Sequence, residues 1–259
     1  MESKIIIFES TNEEGIFSTN KKFYPGKSEK YIENEFIKTR KKIANKFNFN
    51  YLKMFEPKQK MQDNDDYPDN KYVILDDSYM NKEDFLDEII HTDILILPSK
   101  YKEVVVGHRA ADCPILILED RKLGLTALCH CNTVHINREL PMNLIKIMIY
   151  EFNCKLNDLY LYISSFVHKE NYIYDKYPIW ATNEKIWHKA ITKEEDGYHI
   201  DIEKAILDQI KIFDINEISI SPIDTADNNK YASHTKAVQG NKEKLGQNFI
   251  GFYYKKNEE

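Results

Sequence analysis

Two neighbouring apolar runs, residues 113–118 and 123–131, constrain the fold most, because the short charged segment between them predicts a β-hairpin. The first run opens in Ala-Asp-Cys-Pro, and the second closes on Ala-Leu-Cys-His-Cys. With a turn centred between residues 121 and 122, antiparallel pairing places residue 113 opposite residue 130, with Cβ atoms about 5 Å apart. The pattern therefore predicts that the Cys113 thiol meets the His130 imidazole on one side of the sheet.

A thiol beside an imidazole has three chemical interpretations. The pair is a nucleophile with its base, two ligands of a soft metal ion, or a buried cysteine beside a structural histidine. Pro114 cannot donate to a strand ladder, so the strand should begin at Cys113 and leave the thiol at the mouth of a loop, where catalytic groups are common. Asp112 either caps a turn there or orients His130 or His108. Our candidate catalytic residues are Cys113, His130 and Asp112.

Composition excludes several classes of protein. The chain has 259 residues, 42% of them hydrophobic, with a net charge of −6 and a pI near 5.8. This size and apolar content support a substantial core, and the acidic charge argues against a nucleic-acid or basic membrane-surface binder. No apolar run approaches the roughly 18 residues of a membrane span, and the first run is too short for a signal peptide. Four cysteines suit a reducing compartment, so we expect a cytoplasmic protein.

The rest of the chain alternates strand-like and helical segments, which predicts one α/β or α+β domain with a mixed sheet over residues 1–259. We find no linker or internal repeat, and nothing that indicates an oligomeric state. Polar segment 56–70 predicts a loop or a mobile cover over a site. Helix start signals are Ser28, Asn81 and Pro141. Predicted strands span 5–8, 72–75, 92–97, 104–106, 159–165, 217–220 and 249–254, and predicted helices span 29–47, 82–90, 140–152 and 202–211.

These motifs resemble the YfiH family, also called the multicopper polyphenol oxidoreductase (laccase) domain, peptidoglycan editing factor or purine nucleoside phosphorylase-like family. Segment 111–116 resembles the family's Ala-Asp-Cys-Pro motif, and 127–130 is similar to its strand ending in His. Weaker similarity covers 17–19, 92–96, 224–225 and 231–234, in the family's order. The resemblance implies a layered fold shared with the deamidase domain of cytotoxic necrotizing factors.

The resemblance also implies a function. In YfiH-like proteins the Cys, the strand-ending His and an upstream His bind zinc beside a pocket for purine nucleosides. This implies that Cys113 and His130 are metal ligands and that Ser233, His234 and Lys236 contact the substrate. The implied reactions are phosphorolysis of purine nucleosides, with phosphate as the second substrate, and hydrolytic deamination of adenosine.

This sequence departs from the family at several positions. The upstream His should fall near residues 56–59, but no His precedes His91. The Arg after the strand-ending His is replaced by Val134, and Lys236 stands where Arg is expected, although Lys cannot form the bidentate contact to phosphate. His108 and Cys131 are candidate replacement ligands. Strand parity argues against Cys131, because residues 129 and 131 should point away from the side that His130 faces.

Three hypotheses remain for the function. The first is an enzyme acting on purine nucleosides at Cys113 and His130, with zinc as the cofactor that the resemblance implies. The second is a metal-free Cys-His hydrolase or amidase, and the third is a binding protein of the same fold without turnover. A copper oxidase is the least favoured, because eight scattered histidines without a His-x-His pair do not supply a multicopper centre.

Overall fold

Two mixed β-sheets pack face to face between helices in the computed structural model, which describes residues 5–60, 68–83, 85 and 89–256. The strands are β1 (Ile5–Glu9), β2 (Met54–Phe55), β3 (Pro57–Lys58), β4 (Tyr72–Ile74), β5 (Ile90–His91), β6 (Ile94–Pro98), β7 (Val105–Ala110), β8 (Ile115–Asp120), β9 (Leu125–His130), β10 (Leu159–Ile163), β11 (Ile173–Tyr174), β12 (Ile191–Glu194), β13 (Gly197–Ile200), β14 (Glu217–Ile220) and β15 (Asn248–Tyr254). The α-helices are α1 (Glu29–Phe47), α2 (Asp77–Met80), α3 (Thr133–Asn137), α4 (Leu140–Tyr150), α5 (Glu184–Trp187), α6 (Ile202–Ile210) and α7 (His234–Val238).

The larger sheet has six strands in the order β14-β10-β8-β9-β6-β4, and the second has four in the order β1-β15-β7-β2. The pairs β10/β14, β4/β6 and β2/β7 are parallel, and the other pairs in these sheets are antiparallel. A three-stranded sheet (β11-β13-β12) and the parallel pair β3/β5 complete the strands of the described part. This arrangement confirms the predicted α+β fold with mixed sheets.

Side chains alternate across β8 and separate two cores. Leu116 and Leu118 face the cluster that includes α4 and α6, whereas Ile115 and Ile117 pack with side chains of the four-stranded sheet. All six β8 residues are buried, which is why the strand reads as a continuous apolar run. The layers therefore follow the order helix, sheet, sheet, helices.

Helix α1 covers the outer face of the four-stranded sheet. Ser28 Oγ accepts from the Tyr31 backbone N–H at 3.3 Å, and Ile43 packs in a cluster with Phe8 and Phe249. These contacts confirm the predicted helix and its cap. No helix within the described ranges is both long enough and apolar enough to cross a membrane.

The predicted hairpin is formed by β8 and β9, but its register is shifted, because Ile115 pairs with His130. The turn contains four residues, 121–124, in which Asp120 Oδ1 accepts two backbone N–H groups and Gly124 has a φ of 67°. A longer turn centred between 122 and 123 moves the partner of His130 from residue 113 to 115. The prediction that Cys113 is the cross-strand partner of His130 is therefore wrong. The two strands begin at residues 115 and 125 instead of 113 and 123.

The helix predicted over residues 82–90 is also wrong where the structure describes it. Asp76 caps the short helix α2, Asn81 ends it instead of starting a new one, and Ile90 lies in a strand. Residues 84 and 86–88 lie outside the described residues, as do residues 61–67 of the predicted polar loop. The remaining predicted strands and helices are present, with ends that differ by a few residues.

Candidate functional site

Asp112 fixes the loop that carries Cys113. The Asp112 backbone has a φ of 81°, and its side chain is buried. Its Oδ1 accepts from the Thr225 hydroxyl at 2.7 Å, and its Oδ2 accepts from the Thr235 backbone N–H at 2.6 Å. Both carboxylate oxygens are thus engaged in tying the loop to the C-terminal segment, which gives Asp112 a structural role.

Cys113 and His130 line one cavity of about 600 Å³, a volume within the range of small-molecule sites. Phe23, Tyr172 and Tyr174 contribute aromatic walls that can contact a planar ring. Further lining residues are Lys22, Arg109, Ala110, Ala111, Asp112, Asn132, Thr133, Val134, Ile173, Ser233, His234, Thr235, Ala237, Val238, Gln239, Lys244, Leu245, Gly246 and Gln247. The structure therefore brings the predicted thiol and imidazole to one cavity without the predicted strand pairing.

Hydrogen bonds fix the orientation of the His130 ring. Its Nδ1 lies 2.9 Å from Gln59 Oε1, an oxygen that only accepts, so Nδ1 carries the proton. Its Nε2 is buried and has no hydrogen-bond partner among the described residues. His130 therefore presents a lone pair at Nε2.

Two further histidines surround His130. The His108 ring, on β7 of the other sheet, stacks on it with centroids 4.6 Å apart, and the His135 ring lies 6.3 Å away. His108 Nδ1 contacts the Arg109 carbonyl at 2.8 Å, and His135 Nε2 lies 3.7 Å from Asp93 Oδ1. The contact between β7 and β9 brings His108 to His130 across the two sheets, whereas His135 lies on α3, which follows β9.

Desolvation disfavours the charged forms of Cys113, His130 and His108. Desolvation, followed by the charge of Asp112, raises the pKa of Cys113 to about 12. Desolvation, followed by His108 and His135, lowers the pKa of His130 well below its ordinary value. The pKa of His108 is lowered for the same main reason, although Glu56 opposes the shift. At neutral pH Cys113 is therefore a thiol and His130 and His108 are neutral imidazoles, so Cys113 and His130 do not form a thiolate–imidazolium pair.

The residues predicted to bind substrate occupy different environments. Ser233 caps α7 by accepting the Lys236 backbone N–H at 3.3 Å, and His234 lies exposed on the cavity wall. The Lys236 ammonium donates to Asn171 Oδ1 at 2.8 Å, and Lys236 is not part of the wall. Of the three, Ser233 and His234 border the cavity.

A catalytic zinc centre needs three protein ligands and an open position. The family resemblance places the upstream histidine in segment 56–59. In this chain Gln59 of that segment contacts His130, and the side-chain oxygen of Gln59 already accepts from His130 Nδ1. Among the described residues, no third His, Cys, Asp or Glu joins Cys113 and His130 with all ligand atoms within 4.8 Å. The residues present do not fit the family's three-ligand site. Cys131 is fully buried in the core below the sheet beside Cys129, as strand parity predicts.

The β12–β13 hairpin carries a group of three potential metal ligands whose ligand atoms all lie within 4.8 Å of one another. They are Glu194, Asp196 and His199. His199 Nε2 contacts Asp196 Oδ1 at 2.6 Å, and its Nδ1 contacts the Lys169 carbonyl at 3.1 Å. Both contacts are to oxygens that accept, and the hydrogen bond to Asp196 raises the pKa of His199. Both ring nitrogens therefore donate, which leaves no lone pair for a metal ion.

The comparisons with known proteins agree with this fold. The family described as multi-copper polyphenol oxidoreductase laccase matches residues 39–249, which is most of the chain. The chain belongs to this YfiH-type laccase family. No curated protein matches it.

Solved structures of the YfiH-type laccase family share its fold at low sequence identity. YlmD from Geobacillus stearothermophilus has a TM-score of 0.77 at 14% identity, covering 98% of this chain and 93% of YlmD. Hypothetical protein YfiH from Bacillus licheniformis has a TM-score of 0.67 at 15% identity, covering 86% and 82%. Protein NMB0706 from Neisseria meningitidis has a TM-score of 0.69 at 10% identity, covering 98% and 96%. At such identities the likeness shows the fold alone.

Sequence reasoning missed several residues of the site. Gln59, Tyr172 and Tyr174 were not candidates, and His108 was considered only as a replacement ligand. The family resemblance places its upstream histidine in segment 56–59, and this expectation was the one available signal for Gln59. The tyrosines carry no motif, because their place on the cavity wall depends on tertiary packing.

Proposed function

We propose that this protein is a cytoplasmic enzyme that acts on purine nucleosides in the cavity lined by Cys113 and His130, and that its reaction is hydrolytic deamination of adenosine. The observation that carries the proposal is the cavity with aromatic walls that His130 lines, together with the His130 Nε2 atom, which has no hydrogen-bond partner among the described residues. Because Nε2 is buried, the attacking water molecule must enter beside the His130 ring before the Nε2 lone pair can accept its proton. The purine specificity comes from the family resemblance, and four free thiols support the reducing compartment.

The cationic side chains support attack by water over attack by phosphate. Lys236 is bound to Asn171, and the Lys244 ammonium donates to the carbonyls of Thr225, Asn228 and Tyr231. Arg109 Nε is paired with Glu56 at 2.6 Å. Lys22, the remaining cation on the cavity wall, lies over the Phe23 ring. Each of these cations therefore has a partner within the protein, and the arginines that the family is expected to use for an anion are replaced. Phosphorolysis is therefore the second candidate reaction.

In the proposed reaction His130 Nε2 takes one proton from water as the water oxygen adds to C6 of adenine, and it passes that proton to N1. The hydroxyl proton then goes to the amino group, the C6–N bond breaks, ammonia leaves, and inosine with its C6 carbonyl remains. The Cys113 thiol, which burial keeps protonated, lies on the same wall as a hydrogen-bond donor. Phe23, Tyr172 and Tyr174 offer stacking surfaces to the base. No step depends on zinc, because its three ligands are not assembled.

The metal-free thiol hydrolase receives less support. A nucleophilic cysteine needs a lowered pKa or an adjacent imidazolium, and the site provides a pKa of about 12 and a neutral imidazole instead. The binding-protein hypothesis predicts ligand binding without turnover, so one assay separates it from the enzyme hypothesis.

The test incubates the protein with adenosine or inosine, with and without phosphate and with and without zinc, and separates the products by chromatography. Wild type is compared with His130→Gln, Cys113→Ala and Cys154→Ala, in which Cys154 is a buried thiol outside the cavity wall. We expect inosine from adenosine without phosphate, a loss of about 10²-fold or more in His130→Gln, and wild-type activity in Cys154→Ala.

Other outcomes overturn the proposal in distinct ways. Base release that requires phosphate would establish phosphorolysis instead. Turnover only with added zinc would contradict the metal-independent reaction. No turnover in any condition would leave the binding protein as the better description.

A further inference from the structure

The Gln59 amide is oriented without ambiguity. Its side-chain nitrogen donates to two backbone carbonyls, those of Asp93 at 3.2 Å and His130 at 3.0 Å. Carbonyl oxygens cannot donate, so the NH₂ end of the amide must face them. The amide oxygen is therefore the atom that lies 2.9 Å from His130 Nδ1.

This orientation determines the tautomer of His130. An amide oxygen only accepts, so Nδ1 must donate its proton, and in a neutral ring Nε2 then keeps its lone pair. Nε2 is buried without a hydrogen-bond partner among the described residues, so no other protein contact stabilises the opposite tautomer. Gln59 itself is nearly fully buried, at 7% exposure, so water competes little for its bonds.

Gln59 also connects the site to the scaffold. It follows β3, which pairs in parallel with β5, and Asp93 lies between β5 and β6. Through Gln59 the His130 ring is tied both to its own backbone and to the start of the neighbouring strand. One amide thus sets the position and the protonated nitrogen of the ring.

We propose that Gln59 is a positioning residue that holds His130, a cavity-lining residue, in the Nδ1–H tautomer and thereby leaves the lone pair of the ring on Nε2. The catalytic consequence rests on the proposed function, whereas the tautomer does not. Gln59 acts through His130 and is not itself one of the residues that line the cavity.

The test uses protein with ¹⁵N-labelled histidine and long-range ¹H–¹⁵N NMR, which distinguishes a protonated Nδ1 from a protonated Nε2. Spectra of wild type are compared with Gln59→Leu, which removes the amide at similar volume. The matched control is Gln209→Leu, because Gln209 is a similarly buried amide that donates to the Ile136 carbonyl, and neither residue lines the cavity. His130→Gln assigns the resonance.

We expect the Nδ1–H tautomer for His130 in wild type and in Gln209→Leu, and a mixture of tautomers in Gln59→Leu. The rate of adenosine deamination should fall about 10- to 100-fold in Gln59→Leu, as for other partners that orient a functional histidine. An Nε2–H tautomer in wild type would overturn the inference without any variant. An unchanged tautomer in Gln59→Leu would do so as well. A confirmed tautomer with no turnover of nucleosides would support the inference and refute the proposed function.

Discussion

Replacing Asp112 with alanine should release the Cys113 loop from the C-terminal segment. The carboxylate accepts from the Thr225 hydroxyl and from the Thr235 backbone N–H, and all three residues are buried. Hydrogen bonds to a charged group contribute about 1.5–3 kcal/mol each, so losing both should cost about 3–6 kcal/mol. Alanine also tolerates the positive φ of this position less well, which adds roughly 1 kcal/mol.

The assay is urea unfolding followed by circular dichroism. Asp112→Asn keeps a side chain that tolerates positive φ and retains one acceptor oxygen, so it should lose about half as much stability. Asp214→Ala measures the backbone contribution alone, because Asp214 has a φ of 48° and is exposed. A loss in Asp112→Ala no larger than in Asp214→Ala would refute the anchoring role of the carboxylate.

Two further predictions follow from the shifted pKa values. Because burial raises the pKa of Cys113 to about 12, iodoacetamide at pH 7.5 should modify it on the order of 10³-fold more slowly than a free thiol, as measured by peptide mass spectrometry. The hydrogen bond to Asp196 raises the pKa of His199 above its ordinary value of 6.5. The pair of His199 and Asp196 should therefore stabilise the protein fully below pH 6.5, as long as Asp196 is ionised. This contribution should be lost as the pH rises through the pKa of His199 in the folded protein. Urea unfolding of wild type and Asp196→Asn at several pH values measures it.

Each of these predictions has its own control. Protein unfolded in urea should react with iodoacetamide as a free thiol, and equally fast reaction of the folded protein at Cys113 would contradict the burial argument. For His199, Glu194→Gln should have the smaller effect, because its carboxylate lies 3.9 Å away instead of 2.6 Å. A stability difference between wild type and Asp196→Asn that grows with pH would have the wrong sign.

Local patterns predicted the elements well but not their tertiary relations. Helix α1 has a cap and an apolar face within its own sequence, so both of its ends were predictable. The hairpin was predicted too, but its register depended on hydrogen bonds of the Asp120 side chain within the turn. Asn81 can cap either end of a helix, and the prediction chose the wrong end.

The site was predictable only in part for the same reason. Cys113 lies two residues before β8 and His130 ends β9, so their place at the same end of the hairpin followed from the sequence even in the wrong register. His108 reaches His130 from the other sheet, and Gln59, which follows β3, reaches it from 71 residues earlier in the chain. Such contacts depend on how sheets stack, and no periodicity in the sequence contains that information.

The most direct test of the nucleoside cavity is a titration of adenosine into protein with ¹⁵N-labelled histidine. We predict a saturating shift of the His130 ring signals, whereas His188, exposed at the end of α5, should not move. Unchanged His130 signals at saturating adenosine, or equal shifts at His188, would contradict the assignment of this cavity to purine nucleosides.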